Sequence, residues 1–452
     1  MKAESSRLPL FAALCAPLLG AALAGATETR AVRMATSRNA VRPPATHGFA
    51  SPRDPSPPWI EQKVTASDGQ ADDQFGLHSV IDGDTALVSA PLAPGGTWQG
   101  VVYAFERIDG EWVERQRITA SDAAPSNQFG GWLALVGDTA FIGAPEAPGV
   151  GGPDDRKGAA YVFTRTGGSW FQTQKLTLDD GAPLDQFGGV LAFDGTTAMI
   201  SSNDYSNGAQ GAVYVFTRQG GIWTRTQKIT AEGDTPPGSF GGSLAVSGDT
   251  AFIAALNYNP DNAEGWVYVL ERDTGGQWHQ VQTIISPNAT TGDYFGDSIA
   301  FNGTTALIGA PGTTVGENVW QGAVHVYVRG DEGTWQPTQL LTASGGMDHD
   351  IFGFVAMHGH TALVGAQRAD NHVGAAYVFR ETDRVWTEVQ KLTPSDGVPD
   401  DYFAPGQIAI SDTTAVVGAW GAAPGGNTNQ GAAYFYDNDG IFASGFDGAT
   451  PP

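Results

Sequence analysis

A Phe-Gly pair followed by an apolar run recurs along the whole of this chain, and that repetition limits the possible folds more than any local motif. The pairs begin at Phe75, Phe129, Phe187, Phe240, Phe295 and Phe352, with an altered seventh copy at Phe403-Ala404. Successive copies start 54, 58, 53, 55, 57 and 51 residues apart. Self-similarity at a period near fifty predicts a solenoid or a propeller, in which each unit buries against its neighbours a face it could not bury alone.

Each copy divides into four strand-length runs. In the one that opens at Phe129, "FGGWLALV" stops at Gly137-Asp138 and "TAFIGAP" follows. After a variable loop comes "GAAYVFTR", and beyond Thr166-Gly167-Gly168 comes "WFQTQKLT". Short Gly/Asp connections suit tight antiparallel hairpins, because glycine reaches positive φ without steric cost. The first two runs are almost continuously apolar, which predicts strands buried on both faces. Sheets stacked radially have that property. The fold expected is therefore all-β, a seven-bladed β-propeller of four-stranded antiparallel blades.

The strand count also predicts how the ring closes. "WIEQKVTA" at residues 59–66 has the pattern of a fourth strand but precedes the first Phe-Gly. Near the other end, "GAAYFYD" is a third strand with no Trp-containing fourth strand after it. The N-terminal strand is expected to complete the last blade, which leaves no open terminal sheet to pair with another molecule. Seven tryptophans (59, 112, 170, 223, 278, 335 and 386) mark the outer strands and are read as packing anchors.

Over about Trp59 to Asp437 these units resemble the FG-GAP repeat, found in the integrin α-subunit propeller and in many secreted bacterial proteins. The third element of that repeat reads Gly143-Ala144-Pro145, Gly309-Ala310-Pro311 and, in the first copy, Ser89-Ala90-Pro91. It drifts to Ser202-Asn203, Ala255-Leu256, Ala366-Gln367 and Ala419-Trp420 elsewhere. The resemblance implies the propeller; it assigns no activity. In the family, the hairpin between the first two strands often carries a calcium loop of the form Asp-x-Asp-x-Asp-Gly-x-x-Asp. Here that hairpin is shortened to "IDGDTALV", "FDGTTAMI" and "FNGTTALI". Asp82 and Asp84 alone cannot surround an ion that needs six or more oxygens, so these residues read as turn chemistry.

The ends of the chain differ in composition from the repeats. Lys2 and Arg7 precede a Leu/Ala run from Leu8 to Ala24, with Ala-x-Ala spacing at 22–24 and 24–26. Residues 1–26 are read as a cleaved secretory signal peptide. Residues 27–58 are read as a Pro/Ser/Arg-rich linker, 59–438 as the propeller and 439–452 as a C-terminal tail. Cys15, the single cysteine, lies inside the signal and follows Leu14 rather than the small residue that lipid attachment requires. The mature chain is expected to have no thiol, hence no disulfide and no thiolate metal site. The expected location is secreted, extracellular or at the cell surface, or periplasmic, with no transmembrane segment after cleavage.

The formal net charge is −24, and seven of the 24 basic residues but only three of the 48 acidic ones precede Trp59. The repeat region is thus more acidic than the chain as a whole, which argues against nucleic acid and anionic membranes as partners.

In an antiparallel blade, the loops after the second and fourth strands leave from the same end. One face of the propeller should carry only short hairpins, and the other all the variable loops, where binding residues are commonest. On that face Trp98, Tyr205, Tyr258, Trp320 and Trp420 are aromatic candidates for a glycan or a protein partner. Asp68, Asp72, Asp73, Asp180, Asp185, Asp396, Asp400 and Asp401 recur in the loops after the fourth strands and could offer oxygens to calcium. Their alternative role is to build the turns between blades. His349 and His372, near Asp348, Asp350 and Asp370, lie on the same face, whereas His358 and His360 fall in the opposite hairpin. No metalloprotease, nucleophile-elbow or phosphate-loop motif occurs. The function expected is a monomeric, non-enzymatic binding or adhesion module for an extracellular protein or glycan. Its alternatives are an extracellular hydrolase or lyase at the channel mouth, or a purely structural surface protein.

Overall fold

The computed structural model describes residues 59–148, 156–202, 211–232, 239–256, 265–287 and 292–438. The signal, linker and tail assigned to 1–58 and 439–452 lie outside the described residues, as do Tyr205 and Tyr258. Seven four-stranded antiparallel sheets are present. Blade 1 has an inner strand Ser79–Asp82, a second strand Thr85–Ala90, a third Val101–Ile108 and an outer strand Glu111–Ile118. Blades 2 to 6 repeat this order over 132–176, 191–229, 239–285, 299–341 and 354–392. Each inner strand touches the inner strands of both neighbouring blades, and the inner strand of blade 7, Ala409–Ile410, touches that of blade 1, so the ring is closed around an axis.

Blade 7 is shared between the ends of the repeat region. Its inner three strands are Ala409–Ile410, Thr414–Ala419 and Ala432–Asp437, and its outer strand is Ile60–Val64. The two outermost pair antiparallel from Ile60 opposite Asp437 to Val64 opposite Ala433. The N-terminal strand thus closes the ring as the strand count predicted.

Hydropathy explains the radial order of the strands. The second strands are buried at every position, as in "TALVSA" and "TALIGA", or at all but the opening Thr, as in "TAFIGA", which requires a neighbouring blade on both faces. Outer strands such as "EWVERQRI" alternate between exposed and buried and have one wet face. The seven outer-strand tryptophans are all buried, from 2% to 8% exposed.

The repeat motifs act at the seams between blades. Phe75 is fully buried, with its ring 5.4 Å from Tyr103 and 6.1 Å from Phe105 on the third strand of its own blade. Its main-chain N–H reaches back to the Gln430 carbonyl of blade 7 at 2.9 Å. A Cβ on Gly143, the glycine of Gly-Ala-Pro, would lie 2.1 Å from the carbonyl oxygen of Gly188, the Phe-Gly glycine of the next blade. The two motifs are therefore the two halves of one contact, and at this seam both positions need a residue without a side chain.

A second seam escaped the sequence reading. A glutamine on the outer strand of one blade grips the main chain of the next blade's tryptophan. Gln227 Nε2 donates to the Trp278 carbonyl, and the Trp278 N–H donates to Gln227 Oε1, both at 2.8 Å. The same pairing links Gln62 to Trp112, Gln116 to Trp170, Gln174 to Trp223, Gln282 to Trp335 and Gln339 to Trp386. Replacing Gln227 by Ala strands two backbone groups at once, so a loss of about 1–3 kcal/mol is expected in a urea titration.

Candidate functional site

At one end of the propeller the chain turns back through connections as short as Gly83-Asp84. At the other end the longer loops meet in pairs between blades, and their backbone follows one plan. The residue two places before the glycine that opens the third strand adopts a left-handed conformation in each described loop: Trp98 (φ 64°), Arg156 (42°), Trp320 (55°), His372 (66°) and Asn429 (51°). Facing it, the residue just before the next repeat's aromatic does the same: Gln128 (54°), Gln186 (51°), Ile351 (52°), Tyr402 (50°) and Gln74 (55°). In four of these junctions the first residue's carbonyl accepts the second's N–H, at 2.7 Å for Trp98–Gln128, 3.1 Å for Trp320–Ile351, 3.1 Å for His372–Tyr402 and 2.9 Å for Asn429–Gln74.

A left-handed residue other than glycine costs about 1–2 kcal/mol, and it persists only where surrounding bonds over-determine it. The backbone is thus constant from junction to junction while the side chain it carries changes among Trp, Arg, His and Asn. A rigid frame presenting a variable set of side chains is an arrangement suited to recognition.

The aromatic candidates take different places in this frame. Trp98 and Trp320 are half-buried and keep solvent-facing area. The Trp320 ring lies 5.9 Å from Tyr294 and 6.0 Å from His349. Trp420 is only 5% exposed, because Tyr402 stacks on it with centroids 4.7 Å apart and planes 1° from parallel. His372 stacks in turn on Tyr402, at 5.6 Å. Trp420 packs; Trp98 and Trp320 can meet a ligand.

The eight aspartates of the interblade loops are distributed over three junctions and committed to protein partners. Asp73, Asp185 and Asp401 close turns by accepting the N–H of the residue three positions earlier, at 2.7, 2.7 and 2.9 Å. Asp68 accepts from the Tyr103 hydroxyl at 2.6 Å and pairs with Arg117 at 2.9 Å. Asp396 accepts from Tyr434 at 2.8 Å and pairs with Lys63 at 2.6 Å. Asp180 pairs with Arg225, Asp72 accepts from Asn429, and Asp400 meets His372. Among the described residues no three His, Cys, Asp or Glu side chains converge as metal ligands. The carboxylates at hand do not assemble the six to eight oxygens of a calcium site. The histidines are also dispersed, His358 pairing with Asp412 and His360 with Glu381.

These carboxylates titrate in opposite senses. Burial, opposed by two backbone hydrogen bonds, raises Asp73; burial likewise raises Asp401 above the ordinary carboxylate value. For Asp396, burial also pushes upward, but the hydrogen bonds from Lys63 and Tyr434 outweigh it and the pKa is lowered. A raised acid contributes stability that is present below its unfolded pKa and lost as pH rises through its folded one. A lowered acid contributes stability that is present above its unfolded pKa and lost as pH falls through its folded one. Asp401→Asn is therefore expected to keep or raise Tm at pH 7, because the amide oxygen still closes the turn. Asp396→Asn is expected to lower stability there, by less than about 1 kcal/mol given its exposure. Melts at pH 7 and pH 2 check both, and the two differences should shrink at the lower pH.

Around the axis, one residue at or near the long-loop end of each inner strand lies at a common level: His78, Trp132, Val190, Ser243, Ser298, Phe354 and Gln407. Each of the first six sits opposite the equivalent residue of its second strand, as with Trp132 opposite Gly143 and Phe354 opposite Gly365. The Gln407 carbonyl accepts the Ser79 N–H of blade 1 at 3.0 Å, and its side-chain amide passes on to blade 2, donating to the Leu133 carbonyl at 2.8 Å. Trp132 packs against the cores between blades 2 and 3 and between blades 3 and 4, and its ring lies 5.2 Å from that of His78. Sequence reading passed over this level. Its only signal was a position two to four residues past the repeat's Phe, occupied by residues from Ser to Trp.

The family model described as FG-GAP repeat matches residues 59–105, 112–163, 170–216, 278–327, 335–379 and 386–436, together more than half of the chain. The chain belongs to the FG-GAP repeat family. Each matched segment runs from an outer-strand tryptophan to the aromatic end of the next third strand, so the FG-GAP unit straddles two blades. The stretch between 216 and 278 is unmatched, yet it forms the first three strands of blade 4 with the same pairing as its neighbours. No curated protein matches the chain. Among solved structures, the chain is similar to one described as a putative 6-phosphogluconolactonase from Bacteroides uniformis ATCC 8492. The identity is 14%, the TM-score 0.46, and the match covers 72% of this chain and 87% of that one.

Proposed function

We propose that this FG-GAP protein is an exported, non-enzymatic binding module whose long-loop face recognises an extracellular protein or glycan. The observation that supports this reading is the repeated left-handed junction, which fixes the backbone and varies the side chain. Trp98 and Trp320 are the binding residues in this reading, because they occupy the same junction position and retain exposed indole surface. The acidic surface turns away anionic partners, so the ligand is neutral or basic.

The test is an array of glycans and extracellular proteins probed with the full chain, followed by titration of whatever binds. Trp98→Ala or Trp320→Ala is expected to weaken binding by about tenfold or more, in line with truncation of an aromatic anchor, with Tm unchanged. Binding that survives both substitutions sinks the assignment of this face, and an array with no ligand at all sinks the proposed function.

A further inference from the structure

We infer that the axial mouth at the long-loop end is a second, separate binding site, built from Trp132 and His78, for the neutral hydroxylated ring of a sugar. This inference concerns ligand binding on the same end of the molecule but does not depend on Trp98 or Trp320.

Trp132 is the largest residue of the axial ring, and it keeps part of its surface open while its body packs on the cores between blades 2, 3 and 4. A half-open indole fixed by packing suits the apolar face of a sugar ring, since it needs no ordering on binding. His78 stands beside it, 93% buried by its 7% exposure, and Nδ1 is sealed from solvent without a hydrogen-bond partner. Burial lowers its pKa to about 3, so the imidazole is neutral at physiological pH.

The tautomer follows from the cost of stranding a donor. A buried N–H with no acceptor is rarer and costlier than a lone pair left unfilled. The lone pair therefore belongs on the sealed Nδ1, and Nε2 carries the proton. The Gln407 arm, which crosses blade 1 at the level of His78, is committed to the Leu133 main chain. The site then offers an uncharged donor in Nε2–H. A neutral donor beside an aromatic plane matches a hydroxyl oxygen and the CH face of a sugar. The pair includes no cation to favour a carboxylate or phosphate, and the chain's net charge of −24 opposes one.

The experiment is calorimetric titration of the full chain with the methyl glycosides of glucose, galactose, mannose and N-acetylglucosamine, and with glucuronate as the anionic arm. One or more of the neutral glycosides should bind, and glucuronate should not. His78→Phe, which keeps the ring volume and removes both nitrogens, should weaken that binding about tenfold, the equivalent of one hydrogen bond to a buried donor. Trp132→Leu should weaken it at least as much, whereas Trp98→Ala and Trp320→Ala should leave it unchanged. Because Trp132→Leu also removes core packing, its Tm is measured alongside, and His78→Phe decides the matter if that variant unfolds. Absence of binding by every neutral glycoside, meaning that His78 meets water only, overturns the inference. So does tighter binding of glucuronate, or loss of binding on Trp98→Ala with His78→Phe silent. The junction-face reading fails on its own terms, through Trp98 and Trp320, whichever way the axial test falls.

Discussion

Deleting residues 59–66 is expected to lower Tm by about 10 °C or more and to make the chain prone to self-association. The strand removed supplies five residue pairs along Ala432–Asp437. It also supplies Glu61, which accepts from the Ser395 hydroxyl at 2.6 Å and from the Tyr436 hydroxyl at 3.1 Å, and Lys63, which pairs with Asp396. Gln62, which grips Trp112 of blade 1, goes with them, so blade 7 loses its outer strand and blade 1 loses a seam. At roughly 1 kcal/mol for each hydrogen bond the total is at least 5 kcal/mol, which converts to the stated shift at about 2–4 °C per kcal/mol. The exposed Ala432–Asp437 edge is then a template for pairing with another chain. Calorimetry and light scattering on the shortened chain check the result, with a chain lacking only residues 1–58 as the reference. An unchanged Tm would mean that closure by the N-terminal strand contributes nothing, contrary to the pairing seen in blade 7. Adding the peptide of residues 59–66 in excess should recover part of the loss, because the binding groove is the native edge.

The frame was legible in the sequence because its determinants are local and repeated. Gly137-Asp138 specifies a hairpin wherever it stands, and "TALVSA" cannot face water on either side. The closing strand was legible by counting, since "WIEQKVTA" matched the outer strands and had no blade of its own. The faces that matter for binding were less so. Asp68 and Asp73 sit in one short acidic stretch, but Asp68 anchors a tyrosine of the next blade while Asp73 folds back on its own turn. Their roles depend on which loop arrives opposite them, which spacing does not encode. Trp420 and Trp320 look alike in sequence. Tyr402, brought in from the loop that follows blade 6, stacks flat on Trp420 and covers it, whereas Tyr294, which likewise precedes its repeat's Phe, meets Trp320 edge-on and leaves it half-buried. The left-handed junctions were invisible for a further reason: Trp, His and Asn share no propensity that would mark them, and the conformation is imposed by hydrogen bonds across the seam.

Those seams set the second large effect, at the glycine that opens each third strand. Gly322→Ala is expected to destabilise the protein by more than about 3 kcal/mol, against about 1 kcal/mol for Gly316→Ala six residues earlier. Both glycines have positive φ, 89° and 64°, so both substitutions incur the backbone cost of placing a side chain there. They differ in what the new methyl meets. At Gly316 nothing lies within 4 Å, whereas at Gly322 the Cβ would stand 2.0 Å from the Phe352 carbonyl oxygen and 2.5 Å from its nitrogen. The neighbour cannot yield cheaply. The Phe352 N–H is bonded to the Gln321 carbonyl at 2.9 Å, and its fully buried ring sits 5.5 Å from Tyr377. Relief requires blades 5 and 6 to separate, which breaks the junction bonds of Trp320 and Ile351 as well. The comparison isolates the seam from the φ term, since the two sites share the second and only Gly322 has the first. Urea titrations of the two variants check it, and equal losses would show that backbone conformation alone, and not the contact between blades, keeps glycine at that position. A ligand that rests on Trp320 should bind the folded Gly322→Ala protein more weakly than the Gly316→Ala protein, because the junction that aims the indole is the element being forced apart.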